Sequence, residues 1–488
     1  MIRKTIILFS LFIGILLLDV SGQNSQVLYY MNLPQNQLMN PAMRPSNSLY
    51  IGLPVLSGVN VTINNNFINF SDLFMKAQSS DSIISFLHPD YNVDKFIAKL
   101  NDKNSIAPQA SVQLFSLGFS TGNNSYVSLD ITDRMEGNFV LPGDLLVLIL
   151  KGNEGFVGSE IDLSSLRADL KYYREAGIGL SKSYNKLRLG VKGKLLFGMA
   201  GVSTDNNSLG ITVNDNYTHS LNADLTVNIS GPVTVYTDDN HDIDSVVFDD
   251  SRFDTGRGVR NFFMGTENFG LGLDMGATYD ISEKFVVSAA IRDLGYIKWK
   301  KDVTNLRAEG QFDFSGLSMV DVLKGTKTFK EVGDEMLDSL KNAFIVSGTS
   351  NPFTTWLPIS VTFGGNYKLT RDLSLGLLSY SRIIGKQINE ALTFSANVNL
   401  GNSFSTSVSY TLANHRADNL GAGLAFRAGV IQLYMLADRL PITWNKISGD
   451  NTLVIPANWN TINIRLGLNL VFGNRIGKKD DIPMVEVQ

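Results

Sequence analysis

The 488-residue chain carries 42 Lys+Arg against 46 Asp+Glu, a net charge of -4, with 44% hydrophobic residues. That balance excludes the clustered basic surface of a nucleic-acid-binding protein. Cysteine is absent, which excludes a disulfide framework, a thiolate metal site, a Cys nucleophile and an acylated-Cys lipoprotein anchor.

Residues 1–22 read as a secretory signal, with Arg3 and Lys4 as the charged start, Ile6 to Leu18 as the apolar core and Val20-Ser21-Gly22 before the cleavage site. The apolar run is shorter than the ~20 residues a spanning helix needs, so cleavage and export are expected. Residues 23–108 are rich in Asn and Pro (LPQNQLMNPAMRPSNS), with a strand pattern at Val59 to Ile63. Helical patterns follow at Ser71 to Ala77 and at Val93 to Leu100, the latter capped by Asn92. This is poor material for a regular wall. It suits a plug inside a lumen, a periplasmic segment or an irregular lead-in.

From Gln109 onward the pattern becomes repeated alternation, broken by Gly, Asn and Asp turns. Leu187 to Met199, Leu221 to Ile229 and Leu306 to Phe314 each set an apolar row against a polar one. The most regular arm is Phe269 to Asp280: Phe269, Leu271, Leu273, Met275, Ala277 and Tyr279 share one parity, and small or polar residues take the other. Ten strand steps of ~3.3 Å, tilted by about 40°, rise roughly 25 Å, the height of the lipid-facing band of a transmembrane barrel. Ile359 to Leu369, Leu392 to Leu400, Phe404 to Leu412, Leu420 to Ala428 and Ile462 to Phe472 repeat the scheme. Sandwich strands average about 5–6 residues, and many of these rows are longer, so the expected fold is all-β: a transmembrane antiparallel barrel of about 14 strands over 109–473. A polar tail, 474–488, follows. Leu141 to Leu150 and Phe329 to Phe344 read as short loop helices.

Catalytic chemistry has little support. His88, His219, His241 and His415 are scattered, and no hydrolase, zinc or phosphate-loop motif occurs, so a non-enzyme without a cofactor is expected. Asp238, Asn240, Asp242 and Asp244 alternate oxygens as in a calcium loop. Ile243 stands where Gly is needed and Asp249 where Glu is needed, so an exposed acidic loop is the better reading.

Asn40-Pro41-Ala42, the hairpin ending Arg292-Asp293-Leu294-Gly295-Tyr296-Ile297-Lys298-Trp299, Gly429 to Asp438 and the closing Asn463 to Gly473 form one ordered set. In these the chain resembles a Bacteroidota family of outer-membrane barrels of unknown function. More distantly it is similar to long-chain fatty-acid transporter barrels and to barrel subunits of type IX secretion. The resemblance implies a 14-stranded barrel in a Gram-negative outer membrane, with 23–108 as an amino-terminal hatch. It assigns no substrate. Outer-membrane lipid and lipopolysaccharide are the expected surroundings; a hydrophobic small molecule or secretion-system proteins are the candidate partners.

Charges of polar parity, Arg188, Lys192, Lys194, Asp274, Arg292, Arg307, Glu309, Asp313, Arg382, Arg427 and Arg465, should point into the lumen, because lipid-facing charges are costly. There they would cross-brace the barrel. Asp293-Leu294-Gly295 breaks the alternation and is either a lateral portal or a bulge that re-aims Asp293. With uptake of a hydrophobic molecule, Leu73, Phe74 and Phe96 would line the hatch side of the path.

Overall fold

The computed structural model describes residues 26–473 apart from 78–81, 87, 89, 123, 216–217, 238–242, 315–330, 332–344, 386, 414–415, 449–451 and 458–459. The signal segment, the polar tail, the helix expected at 329–344 and the acidic positions Asp238, Asn240 and Asp242 lie outside the described residues.

Alternation becomes a wall wherever each strand finds an antiparallel partner on both edges. The wall strands are β1 (Leu49–Gly52), β2 (Val59–Asn65), β3 (Lys103–Thr121), β4 (Ser125–Pro142), β5 (Arg167–Tyr184) and β6 (Leu187–Val213). After a side strand, β7 (His219–Ser230), come β8 (Phe269–Asp280), β9 (Phe285–Trp299) and a second side strand, β10 (Val303–Phe314). The wall resumes with β11 (Ile359–Lys368), β12 (Leu373–Ile384), β13 (Gln387–Leu400), β14 (Phe404–Ala413), β15 (Arg416–Ala428), β16 (Ile431–Leu440) and β17 (Thr461–Phe472). Each pairs antiparallel with the next; β1 and β2 together form one interrupted strand, bonded to β3 on one edge and to β17 on the other. The sheet therefore closes on itself as a 14-strand barrel.

Burial is inverted relative to a water-soluble protein. On β8, Phe269, Leu271, Leu273, Met275 and Tyr279 are all exposed, whereas Asp274 and Thr278 are buried. The same holds for Phe363 on β11, Leu424 and Phe426 on β15, and Leu433 and Met435 on β16. An outer surface of leucine and phenylalanine around a polar interior is stable when the outside medium is hydrocarbon. Tyr184, Tyr279 and Tyr367 lie exposed near the short turns, and Phe269, Tyr296 and Trp356 near the opposite end, as interface girdles require. Among the described residues no helix is long and apolar enough to cross a membrane.

Short turns (122–124, 185–186, 281–284, 369–372, 401–403, 429–430) cluster at one end, together with the amino-terminal segment and the last residue of β17. Long connections occupy the other. The wall starts at Leu49 rather than at residue 109, and residues 66–102 connect two neighbouring strands at the long-loop end. In that loop Asn92 caps the helix Val93–Ile97, accepting from the Lys95 amide at 3.0 Å. The helix expected at 71–77 is instead a single turn, Phe70–Leu73, followed by extended Phe74–Lys76. The loop helix after β4 is present as Gly143–Lys151.

The expected strands at 221–229 and 306–314 exist as β7 and β10 but are not wall members. The 27 residues of β6 overrun the ring; its first part pairs with β8 and its last part with β7, which pairs with β10. Polar parity on β10 therefore faces water. Arg307, Glu309 and Asp313 are exposed there and do not reach the lumen.

Candidate functional site

Asn and Pro in the stretch that begins the described residues leave a chain without a sheet of its own, and it folds inward. Gln26 to Asn47 touches β5, β6, β8, β9, β11, β12, β15, β16 and β17 from inside the ring. Val27, Leu28, Tyr29, Met31, Leu33 and Met39 pack with wall residues Leu378, Ala425, Tyr434 and Leu436. The wall receives them through missing side chains. A Cβ on Gly190 would lie 2.2 Å from the Pro41 carbonyl carbon, one on Gly276 would lie 2.0 Å from Asn40 Oδ1, and one on Gly423 would lie 2.5 Å from Met31 Sδ.

Polar groups complete the seat. The Tyr30 hydroxyl donates to the Leu377 carbonyl (2.6 Å) and also lies 2.9 Å from that of Gly365. Gln35 and Asn469 exchange amide hydrogen bonds at 2.7 and 3.0 Å. Asp438 Oδ1 accepts from the Val27 amide at 3.1 Å, and Asn40 Nδ2 donates to the carbonyls of Ala277 and Ala289 at 3.4 and 3.3 Å. Arg427, partly exposed near the short turns, donates to Asn47 Oδ1 at 2.8 Å and so clasps the segment at the rim. Arg188 is also at that end and donates to Ser183 Oγ.

Above this segment lies a layer of paired charges. Lys192 reaches Asp130 at 2.8 Å and Glu175 at 3.1 Å; Lys194 reaches Asp293 at 2.6 Å, Asp274 at 2.7 Å and Glu175 at 3.6 Å. Arg134 lies 3.0 Å from Glu175 and 3.9 Å from Asp293. All but Arg134 are buried, so the ammoniums and carboxylates replace one another's lost hydration.

The break at Arg292–Gly295 takes part in this layer. Leu273 pairs with Leu294 and Met275 with Ile291, so Arg292 and Asp293 together oppose Asp274. Asp293 adopts φ 61°, and its amide donates to Asp274 Oδ1 at 2.7 Å. This bulge turns both Arg292 and Asp293 inward. It also shifts the parity beyond it, which buries Trp299 against Gly198 and Gly201. Pairing continues past the bulge, and the Leu357 amide donates to the Gly295 carbonyl at 2.9 Å.

A wider interruption lies elsewhere. Gly52 faces Ser116 and Val59 faces Val112, so the six residues 53–58 stand where β3 has three. Val55, at φ 66°, and Leu56 are 50% and 57% exposed there.

Between the charge layer and the long-loop end is a small cavity of about 60 Å³ open to solvent, floored by Leu38 and Met39 of the inner segment. Its charged lining is Arg134, Arg292, Arg382 and Arg465 with Glu136 and Asp293. Of the sequence candidates it gathers Arg292, Asp293, Arg382 and Arg465. Leu73, Phe74 and Phe96 lie in the loop at 66–102, where Phe96 stacks on Phe86 at 6.5 Å, outside this cavity. Sequence reasoning missed Arg134, Glu136, Glu175 and Asp130. Each sits on the polar parity of a long strand and was readable by the rule that found Lys192.

Residues 41–438 match the model of a family of unknown function, DUF5723, so the chain belongs to that family. No curated protein matches. Among solved structures it is similar to the toluene transporter TodX of Pseudomonas putida (10% identity, TM-score 0.39, covering 93% of this chain and 99% of that one). A FadL homologue of Pseudomonas aeruginosa gives 9% identity and TM-score 0.41 over 93% and 100%. The toluene transporter TbuX of Ralstonia pickettii gives 10% and 0.40 over 93% and 100%. At these scores the barrel stands on its own strand pairing.

Proposed function

We propose that this member of DUF5723 is an outer-membrane transport barrel in which Gln26 to Asn47 acts as a hatch. One observation carries the reading: the segment is bound by side-chain hydrogen bonds and glycine notches to the wall, and a solvent-open chamber lies directly above it. A permanent plug needs no such chamber, whereas a gated path needs a vestibule and a removable floor.

The test is conductance in planar bilayers of the mature protein and of a variant lacking residues 26–45. The mature barrel should be nearly closed, and the truncated barrel should conduct while still migrating as a folded band on unheated gels. A folded truncated barrel that stays closed overturns the reading.

The interruption at 53–58 supports a second reading, in which a hydrophobic molecule leaves the chamber sideways. Exposed Val55 and Leu56 adjoin Gly58, which lines the chamber. Shortening this stretch so that β1 and β2 run together should abolish uptake of a hydrophobic fluorophore and leave ion conductance of the truncated barrel intact. Unchanged uptake removes this route.

A further inference from the structure

We propose that the arginine-lined chamber above the inner segment is a binding site for a small dianion, a dicarboxylate or phosphate. This names a substrate class for the gated path through the lumen, not for the sideways hydrophobic route, and rests on that first reading. Four guanidiniums, Arg134, Arg292, Arg382 and Arg465, face the chamber with two carboxylates, Glu136 and Asp293, while Glu175 behind it holds Arg134 at 3.0 Å. Both carboxylates are already engaged. Asp293 holds Lys194 at 2.6 Å, and Glu136 accepts from the Tyr173 hydroxyl at 3.0 Å with Arg382 at 3.4 Å.

The guanidiniums retain donating capacity. Arg292 and Arg382 are 7% and 6% exposed, and the Nε of each is buried without a hydrogen-bond partner. Buried donors left unpaired are costly, and an oxyanion supplies acceptors in the planar geometry that guanidinium favours. The chamber is small, about 60 Å³, room for a few waters and so for a phosphate or a short dicarboxylate.

The test is calorimetric titration of the full mature barrel in neutral detergent at low salt, with succinate, inorganic phosphate and uncharged succinamide as probes. Both dianions should bind saturably and succinamide should not. The double variant Arg292→Gln, Arg382→Gln should weaken dianion binding about tenfold or more. Glu136→Gln should strengthen it several-fold, because it removes a competing negative charge; this change in the opposite sense separates a site from damage to the fold. Absence of saturable heat with either dianion, equal binding of succinamide, or wild-type affinity in the folded double variant overturns the proposal. A barrel that conducts once the inner segment is removed but binds no dianion sinks this site alone. One that binds dianions yet stays closed after truncation sinks the transport reading and leaves the site standing.

Discussion

Lys194 ties three neighbouring wall strands to its own. Its ammonium contacts Asp274, Asp293 and Glu175, and only about 2% of the side chain is exposed. Removing one partner from a buried ionic group costs about 3–5 kcal/mol, because the remaining charges stay desolvated. Lys194→Met should lower barrel stability by about that much in urea unfolding from detergent micelles. Arg307→Met makes the control. Arg307 also contacts two carboxylates, Asp224 and Glu309, both at 3.1 Å, but in water on β10, and no shift in the unfolding midpoint is expected. Equal effects from the two would show that the layer is hydrated rather than buried. Parity alone gave Lys194 and Arg307 the same assignment, because a period of two says which residues share a face. It does not say whether the strand belongs to the ring.

At the scale of elements, the interlock of inner segment and wall explains two features of the sequence that had no separate cause. Asn40-Pro41-Ala42 is a wedge: Asn40 Oδ1 accepts from the Ala42 amide at 2.9 Å, which folds the tripeptide into a tight corner. The glycines of β6 and β8 are its slots. At Gly190 the added Cβ would meet backbone atoms of Pro41 and Ala42, which cannot rotate aside. Gly190→Val should therefore unseat the segment while the wall, whose outer rows are untouched, still closes. Bilayer conductance should rise toward that of the barrel lacking residues 26–45; a variant as closed as the parent would show that the segment does not seal the lumen. The wedge was visible as a motif and the slots as glycines, but their contact was not, since about 150 and 235 residues separate them in sequence. The place of residues 66–102 is hidden in the sequence for a related reason. Irregular composition marks what is not wall, and only the pairing of β2 with β3 shows on which end it falls.

For the whole molecule, the long apolar rows were the legible part, because each strand needs one face for lipid regardless of its neighbours. What they encode is a solvent preference, and that can be tested directly. Met435 lies mid-strand on β16 and is 56% exposed, between Leu424 on one neighbour and Leu466 on the other. In a water-soluble protein a charge at so exposed a position would change stability by at most about 0.5 kcal/mol. Facing the bilayer midplane, arginine costs about 2–4 kcal/mol. Met435→Arg should therefore destabilise the barrel by that amount when it is folded into phospholipid vesicles and unfolded with guanidinium. Arginine at Glu160, an exposed position beyond the wall strands, should leave it unchanged. Equal stability of the two variants would mean that the outer surface never meets lipid, and with it would fall every inference that treats the interior as a path across a membrane.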